Sequence, residues 1–149
     1  MRILFAAALI AATANGALAH SSQVGRKGDA AKVAQTIVVM AHDTADFKTM
    51  SFEPAAITIK RGDTVRFVVR NHGSYEHELV IDTFAGNAKH KIEMQKNPDM
   101  EHDDPNAVRV KPGKDGTITW QFTRPGTFEY ACLIPGHYEA GMKGRIIVK

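Results

Sequence analysis

Three side chains near the carboxyl terminus are of the types that bind metal ions. A thiol, an imidazole and a thioether follow one another at five-residue steps, as Cys132, His137 and Met142. A soft thiolate, a borderline imidazole and a weak thioether are the donors that a copper ion accepts when it alternates between Cu(I) and Cu(II). The Pro-Gly pair at 135–136 favours a tight loop that directs these side chains toward one point. The spacing therefore predicts a copper-binding loop that lacks one ligand.

Strands on both sides are expected to position this loop. Phe128, Tyr130 and Cys132 alternate along a predicted strand at 127–132, so they share one face, and a second strand is predicted at 144–148. This alternation delivers the thiol inward at the end of its strand.

A candidate for the remaining ligand lies upstream, where His77 opens another predicted strand. His77, Leu79 and Ile81 alternate and share its inner face. A single histidine in this position is typically a hydrogen-bonded residue at the edge of the core. Because the loop lacks a ligand, we expect His77 to supply it.

The chain contains one cysteine, so it has no internal disulfide. A lone cysteine is usually a small buried hydrophobic residue. That interpretation leaves His137 and Met142 without an explanation, whereas a metal–thiolate bond accounts for all three residues.

The remaining pattern predicts an all-β fold of about eight short strands, spaced as in a β-sandwich. Alternation is clearest at 64–70 and at 117–123, where Ile118, Trp120 and Phe122 point inward. A long excursion at 84–106 interrupts the strands, and its first half has a helical composition.

The excursion also carries histidine and methionine residues that could bind a second copper ion: His90, Met94, Met100 and His102. Their spacing matches no tight ligand motif, so an amphipathic segment whose methionines pack on the sandwich is the favoured interpretation.

The amino terminus has the pattern of a secretory signal at 1–19. Arg2 precedes a short apolar run, and Ala17-Leu18-Ala19 forms a small-residue cleavage site. A flexible polar leader is expected at 20–35, followed by one domain at 36–149. After cleavage, His20 would carry a free amine and an imidazole, a pair that chelates Cu(II), although a solvated terminal residue is the favoured reading.

Charge and hydropathy argue against nucleic-acid binding and against a membrane span in the mature chain. Cleavage after residue 19 removes Arg2 and leaves 18 basic against 16 acidic residues, a net charge of +2. The basic residues form no stripe of the kind that a phosphate backbone requires, so a nucleic-acid partner is not expected. The mature chain also has no apolar stretch of membrane-spanning length.

From about residue 35 to 149 the chain resembles the cupredoxins, the blue-copper proteins that include plastocyanin and azurin. The similarity lies in three stretches: 52–65 with its Glu-Pro and Gly-Asp-Thr-Val pieces, 71–77 ending in a histidine, and the Cys-x4-His-x4-Met loop. It implies a Greek-key β-sandwich with one type 1 copper, held by His77, Cys132 and His137 in a plane and by Met142 along the axis. Glu78 departs from the asparagine that plastocyanins commonly have there.

The loop and the excursion resemble in particular the exported cupredoxins associated with bacterial copper tolerance. That similarity implies copper handling in the periplasm, by a monomer that meets a redox or copper-exchange partner. Two functions stay open: one-electron transfer, and copper sequestration or delivery. A copper enzyme is not expected, because the further clustered histidines it needs are missing, and Cys132 suits coordination better than nucleophilic catalysis.

Overall fold

The computed structural model describes residues 23–98 and 103–149, which form ten β-strands and one α-helix. The strands are β1 (Gly25–Lys27), β2 (Val33–Asp43), β3 (Met50–Glu53), β4 (Ala56–Ile59), β5 (Thr64–Asn71), β6 (His77–Asp82), β7 (Ala107–Val110), β8 (Asp115–Phe122), β9 (Gly126–Ala131) and β10 (Lys143–Val148). The helix α1 spans Phe84–Lys96, and a single 3₁₀ turn spans Ala30–Lys32.

The strands form two five-stranded sheets that pack as a sandwich. One sheet has the order β1-β8-β5-β2-β3 and the other the order β4-β10-β9-β6-β7. Neighbours are antiparallel except for the pairs β2–β5 and β4–β10, which are parallel. The predicted all-β Greek-key sandwich is confirmed.

The core lies between the sheets and follows the predicted alternation. Trp120, Phe122 and Phe67 are at most 1% exposed, and the inward residues of β9 join them. The outer face of β6 and β9 is covered as well: Met94 of α1 packs there with Val80, Ala131 and Leu133. Because the helix closes this face, all six residues of β6 are buried.

The sandwich has ten strands instead of about eight for two reasons. The segment at 52–59, which reads as continuous in the sequence, divides at Pro54 into β3 in one sheet and β4 in the other. Proline lacks the N–H that a continuous ladder requires, so the chain changes sheets there.

The second additional strand lies within the stretch that was expected to be a flexible leader. β1 pairs with β8, Gly25 opposite Phe122, and Val24 beside it is fully buried. Ordered structure therefore begins before residue 36. The predicted signal peptide and His20 lie outside the described residues.

The helical half of the excursion is present as α1. The hydroxyl oxygen of Thr83 accepts a hydrogen bond from Gly86 N at 2.9 Å and caps the helix. Met94 is fully buried in the cluster below the helix, which agrees with the packing interpretation. Met100 and His102 lie outside the described residues. Within the described ranges, no helix is long and apolar enough to cross a membrane.

One buried side chain joins three segments at the end of the sandwich that carries His77. The amide of Asn71, at the end of β5, donates to Tyr75 O at 2.7 Å and to Val110 O at 2.9 Å. Its oxygen accepts from Gly73 N at 2.9 Å. Asn71 therefore holds the turn that leads into β6.

We expect Asn71→Ala to lower the free energy of unfolding by roughly 2–4 kcal/mol, because one buried and two partly buried backbone groups would lose their partner. Urea unfolding of the metal-free protein measures this change. Asn97→Ala, at the exposed end of α1, is the matched control and should cost about 0.5 kcal/mol or less. Equal losses in the two variants would contradict a structural role for Asn71.

Candidate metal centre

Three of the four predicted ligands converge at one end of the sandwich. The imidazole nitrogens of His77 and His137 and the sulfur of Cys132 offer donor atoms that all lie within 4.8 Å of one another. His77 opens β6, Cys132 directly follows β9, and His137 lies in the loop between β9 and β10. His77 and Cys132 are fully buried, and His137 is 3% exposed.

The donor atoms face one another directly. Nδ1 of His77 lies 3.2 Å from Nδ1 of His137, and that nitrogen lies 3.4 Å from Sγ of Cys132. His137 thus lies between the other two donors. Side chains 60 positions apart in the sequence meet here because β6 and β9 are neighbours in one sheet.

Backbone hydrogen bonds fold the loop at 132–142 back on itself. Cys132 N donates to Met142 O at 3.0 Å, and Met142 N donates to His137 O at 3.1 Å. Gly136 has φ of +90°, a conformation that favours glycine, and the turn that it forms carries His137. Met142 is fully buried in the same core cluster as Cys132. Its role as a metal ligand stays a prediction.

The two ligand segments are also tied together at the sulfur. The backbone N–H of Glu78 donates to Cys132 Sγ at 3.3 Å. Because the main chain supplies this link, the presence of Glu78 where plastocyanins commonly have asparagine does not remove it. The Glu78 side chain is 2% exposed, and burial raises its pKa to about 7, although the charge of Arg109 acts against this shift.

Sequence reasoning missed Asp43, which contacts a predicted ligand. It ends β2, and its Oδ2 lies 2.8 Å from Nε2 of His77. Burial acts to raise the pKa of Asp43, but hydrogen bonds from Ser74, His77 and Tyr75 lower it overall, so the carboxyl stays ionised. An ionised carboxylate only accepts hydrogen bonds, so Nε2 of His77 is the donor. An aspartate in a polar connection gives no sequence signal for this contact.

An aromatic side chain covers the outer side of His137. The ring of Phe47, in the turn between β2 and β3, meets the rings of His137 and Tyr75 edge-on, each at 5.1 Å. Phe47 is 38% exposed and has φ of +62°, a left-handed conformation that is costly for a bulky residue. Phe47 therefore separates His137 from solvent.

Burial sets the protonation of all three donors in the metal-free protein. It lowers the pKa of His137 to about 4, with His77 acting in the same direction. It also lowers the pKa of His77, against the opposing effect of Asp43. It raises the pKa of the Cys132 thiol to about 12. Near neutral pH the imidazoles are therefore neutral, with lone pairs available, and the thiol keeps its proton until a metal displaces it.

This donor set fits copper. Two neutral imidazoles and a thiol, without a carboxylate among the converging atoms, are unsuited to Mg²⁺ or Ca²⁺, which require oxygen ligands. Soft sulfur and borderline nitrogen in a buried group of three donors are typical of type 1 copper sites.

We expect acid to destabilise the folded, metal-free protein because His137 takes up a proton more readily in the unfolded chain. Its pKa falls from an ordinary 6.5 to about 4 on folding, so between these values the unfolded chain binds the extra proton and stability is lost as pH falls. Between pH 6.5 and pH 4, the free energy of unfolding of the wild type should fall by roughly 1–3 kcal/mol more than that of His137→Gln.

Denaturant unfolding at a series of pH values measures this difference. Glu78 has the opposite effect, since its raised pKa makes the folded chain take up a proton between about pH 4.5 and 7. That contribution is common to both proteins and cancels. A difference that does not change with pH would contradict the burial of a neutral His137.

Comparisons with known proteins agree with this chemistry. The chain is 53% identical over 136 residues to a protein of Rubrivivax gelatinosus named copper-resistant cuproprotein CopI, with 90% of this chain and 79% of that protein covered. A protein of the same name from Pseudomonas aeruginosa is 36% identical, with 95% and 91% covered. A solved structure of auracyanin B superposes with a TM-score of 0.67 at 27% identity, covering 85% of this chain and 96% of that one.

The model of one protein family, described as copper binding proteins of the plastocyanin/azurin family, matches residues 38–149. This range includes every strand from the latter half of β2 to β10 and all four residues of the predicted site. The chain belongs to the plastocyanin/azurin family of copper-binding proteins.

Proposed function

We propose that this protein is an exported, periplasmic cuproprotein that binds one copper ion through His77, Cys132, His137 and Met142 and exchanges single electrons with a protein partner. The observation that carries the proposal is the assembly of three donors within 4.8 Å in a buried site. When bound, a copper ion in such a donor set supplies one-electron chemistry between Cu(I) and Cu(II). The proposal includes no enzymatic activity of the chain itself.

A preassembled site suits electron exchange because little has to move when the charge of the site changes. Cys132 is fixed by the N–H of Glu78 at its sulfur and by its own N–H on Met142 O. His77 is held by Asp43, and the ring of His137 is packed against Phe47. Neighbouring groups therefore restrain each donor before a metal arrives.

His137 is the most exposed of the four predicted donors, at 3%, and the partly exposed ring of Phe47 packs against its ring. A redox partner that docks over Phe47 would approach the metal through a single imidazole. This end of the sandwich is thus the side on which we expect electron exchange.

Copper sequestration or delivery in copper resistance is the second candidate. It is favoured by two relatives named copper-resistant cuproprotein, each of which matches at least 90% of this chain. The same donors would serve that role, but the metal would have to leave the site readily. Retention of copper therefore distinguishes the two candidates.

The ligand set is tested by loading the mature protein with Cu(II) and recording its visible spectrum and copper content. We expect one copper per chain and a strong sulfur-to-copper charge-transfer band that Cys132→Ser abolishes, because the thiolate is the source of the transition. An unchanged spectrum in Cys132→Ser would refute the proposed site.

Met142 is tested in the same experiment against a matched methionine. Met142 and Met94 are both fully buried, so Met→Leu at either position has a similar packing cost, but only Met142 lies in the loop with the other donors. Met142→Leu should shift the charge-transfer bands and Met94→Leu should leave them unchanged. Identical spectra in the two variants would remove Met142 from the ligand set.

The two functions are separated by exposing the copper-loaded protein to excess chelator through cycles of reduction and reoxidation. An electron carrier should keep its copper over hours, and its band should bleach and return in each cycle. Rapid transfer of the metal to the chelator on reduction would instead favour delivery.

Phe47→Ala should raise the rate of copper loss in that experiment several-fold, because the ring that covers His137 is removed. Phe84→Ala is the control, since Phe84 is 45% exposed at the start of α1 and belongs to none of the ring contacts around His137. Equal rates in both variants would show that Phe47 does not limit the exit of copper.

A further inference from the structure

We propose that Asp43 is a positioning residue that fixes Nδ1 of His77 as the metal-facing nitrogen and, through its charge, makes the site favour oxidised copper. This inference rests on the proposed function, since it assigns a role to a residue that acts on the metal through His77. It gives a role to an aspartate at the end of β2 whose side chain is only 2% exposed.

The contact between Asp43 and His77 is short and shielded from water. Oδ2 of Asp43 lies 2.8 Å from Nε2 of His77, and the two side chains are 2% and 0% exposed. Solvent and salt screen such a pair much less than a surface ion pair. The charge of the carboxylate therefore acts on the imidazole with less screening than at the surface.

Other contacts hold the carboxylate in place. Ser74 N donates to both oxygens, at 3.0 and 2.9 Å, and Tyr75 N donates to Oδ2 at 3.2 Å. These donors belong to the turn that Asn71 fixes just before β6. Asp43 cannot turn away from His77 without breaking main-chain hydrogen bonds.

The same turn approaches the carboxylate so closely that it has no room for a side chain. A Cβ atom added to Gly73 would lie 1.7 Å from Oδ2 of Asp43. The glycine thus lets the backbone close over the aspartate. This is an observation independent of the hydrogen bonds, and it shows that the turn is built around the carboxylate.

The contact with Asp43 determines which nitrogen of His77 carries the proton and which nitrogen can bind a metal. Since the carboxylate only accepts, Nε2 of His77 keeps its hydrogen and Nδ1 keeps the lone pair that faces Nδ1 of His137 at 3.2 Å. A carboxylate on the far nitrogen also makes a metal-binding imidazole more basic. A more basic ligand and a nearby negative charge both stabilise Cu(II) more than Cu(I).

We test this with Asp43→Asn, which keeps the size of the side chain and removes its charge. Loss of such a partner typically weakens metal binding by about 10–100-fold. If Cu(II) affinity falls by this factor and Cu(I) affinity is unchanged, the reduction potential rises by about 60–120 mV. Equilibrium redox titration and competition with Cu(II) and Cu(I) chelators measure the potential and both affinities.

Asp46→Asn is the matched control. Asp46 lies three residues further along the same turn, where it accepts from Thr44 and Lys48, and its side chain is 54% exposed. The reduction potential of Asp46→Asn should equal that of the wild type. Equal potentials in Asp43→Asn and Asp46→Asn would overturn the proposed effect of charge.

A second measurement requires neither copper nor a variant. Nitrogen NMR of the metal-free wild type reports which His77 nitrogen is protonated, and we expect hydrogen on Nε2. Hydrogen on Nδ1 would overturn the positioning role, even if Asp43→Asn does not fold. A purely structural aspartate would change the unfolding temperature in the variant without changing the potential.

The outcomes also separate this inference from the proposed function. A charge-transfer band that Cys132→Ser fails to abolish would refute the copper site as a whole. A normal band whose potential does not respond to Asp43→Asn would refute only the role of Asp43.

Discussion

The structure depends on one constraint: three side chains that are predicted to bind a metal are buried at the end of an apolar core. A buried charge without a partner costs far more than a neutral group, so the imidazoles of His77 and His137 and the thiol of Cys132 are held in neutral forms. Their polar atoms still need partners, which come from each other, from the N–H of Glu78 and from the carboxylate of Asp43. These contacts hold the three donors close together.

Much of this arrangement could be predicted because its signals are local. Alternation of apolar residues along β5, β8 and β9 reflects a sandwich with one inner face per sheet, and the burial of Trp120 and Phe122 follows it. The spacing of Cys132 and His137 within one loop likewise requires no knowledge of distant segments. β1 was missed because its Gly-Arg-Lys sequence carries no alternation, and it is a strand only because it pairs with β8.

The residues that complete the site could not be read from the sequence, because their roles depend on which elements become neighbours. Asp43 and Phe47 lie in a stretch of polar composition, 34 and 30 positions before the first predicted ligand, His77. They reach the site because β2 pairs with β5, whose end leads through a short turn into His77. Their signal is therefore tertiary, except that Gly73 marks a close approach of the backbone.

One turn connects these two residues, and it bears on how a metal would enter or leave. Asp43, at the start of the turn, holds His77, and Phe47, within it, covers His137. The hydrogen bonds inside the turn are local and exposed, such as those from Thr44 N to Thr49 O and from Thr44 Oγ1 to Asp46. Exposed local bonds open at a lower cost than the sheets. Movement of this turn would uncover one predicted ligand and release the partner of another, so under the proposed function its stability would affect how firmly copper is held.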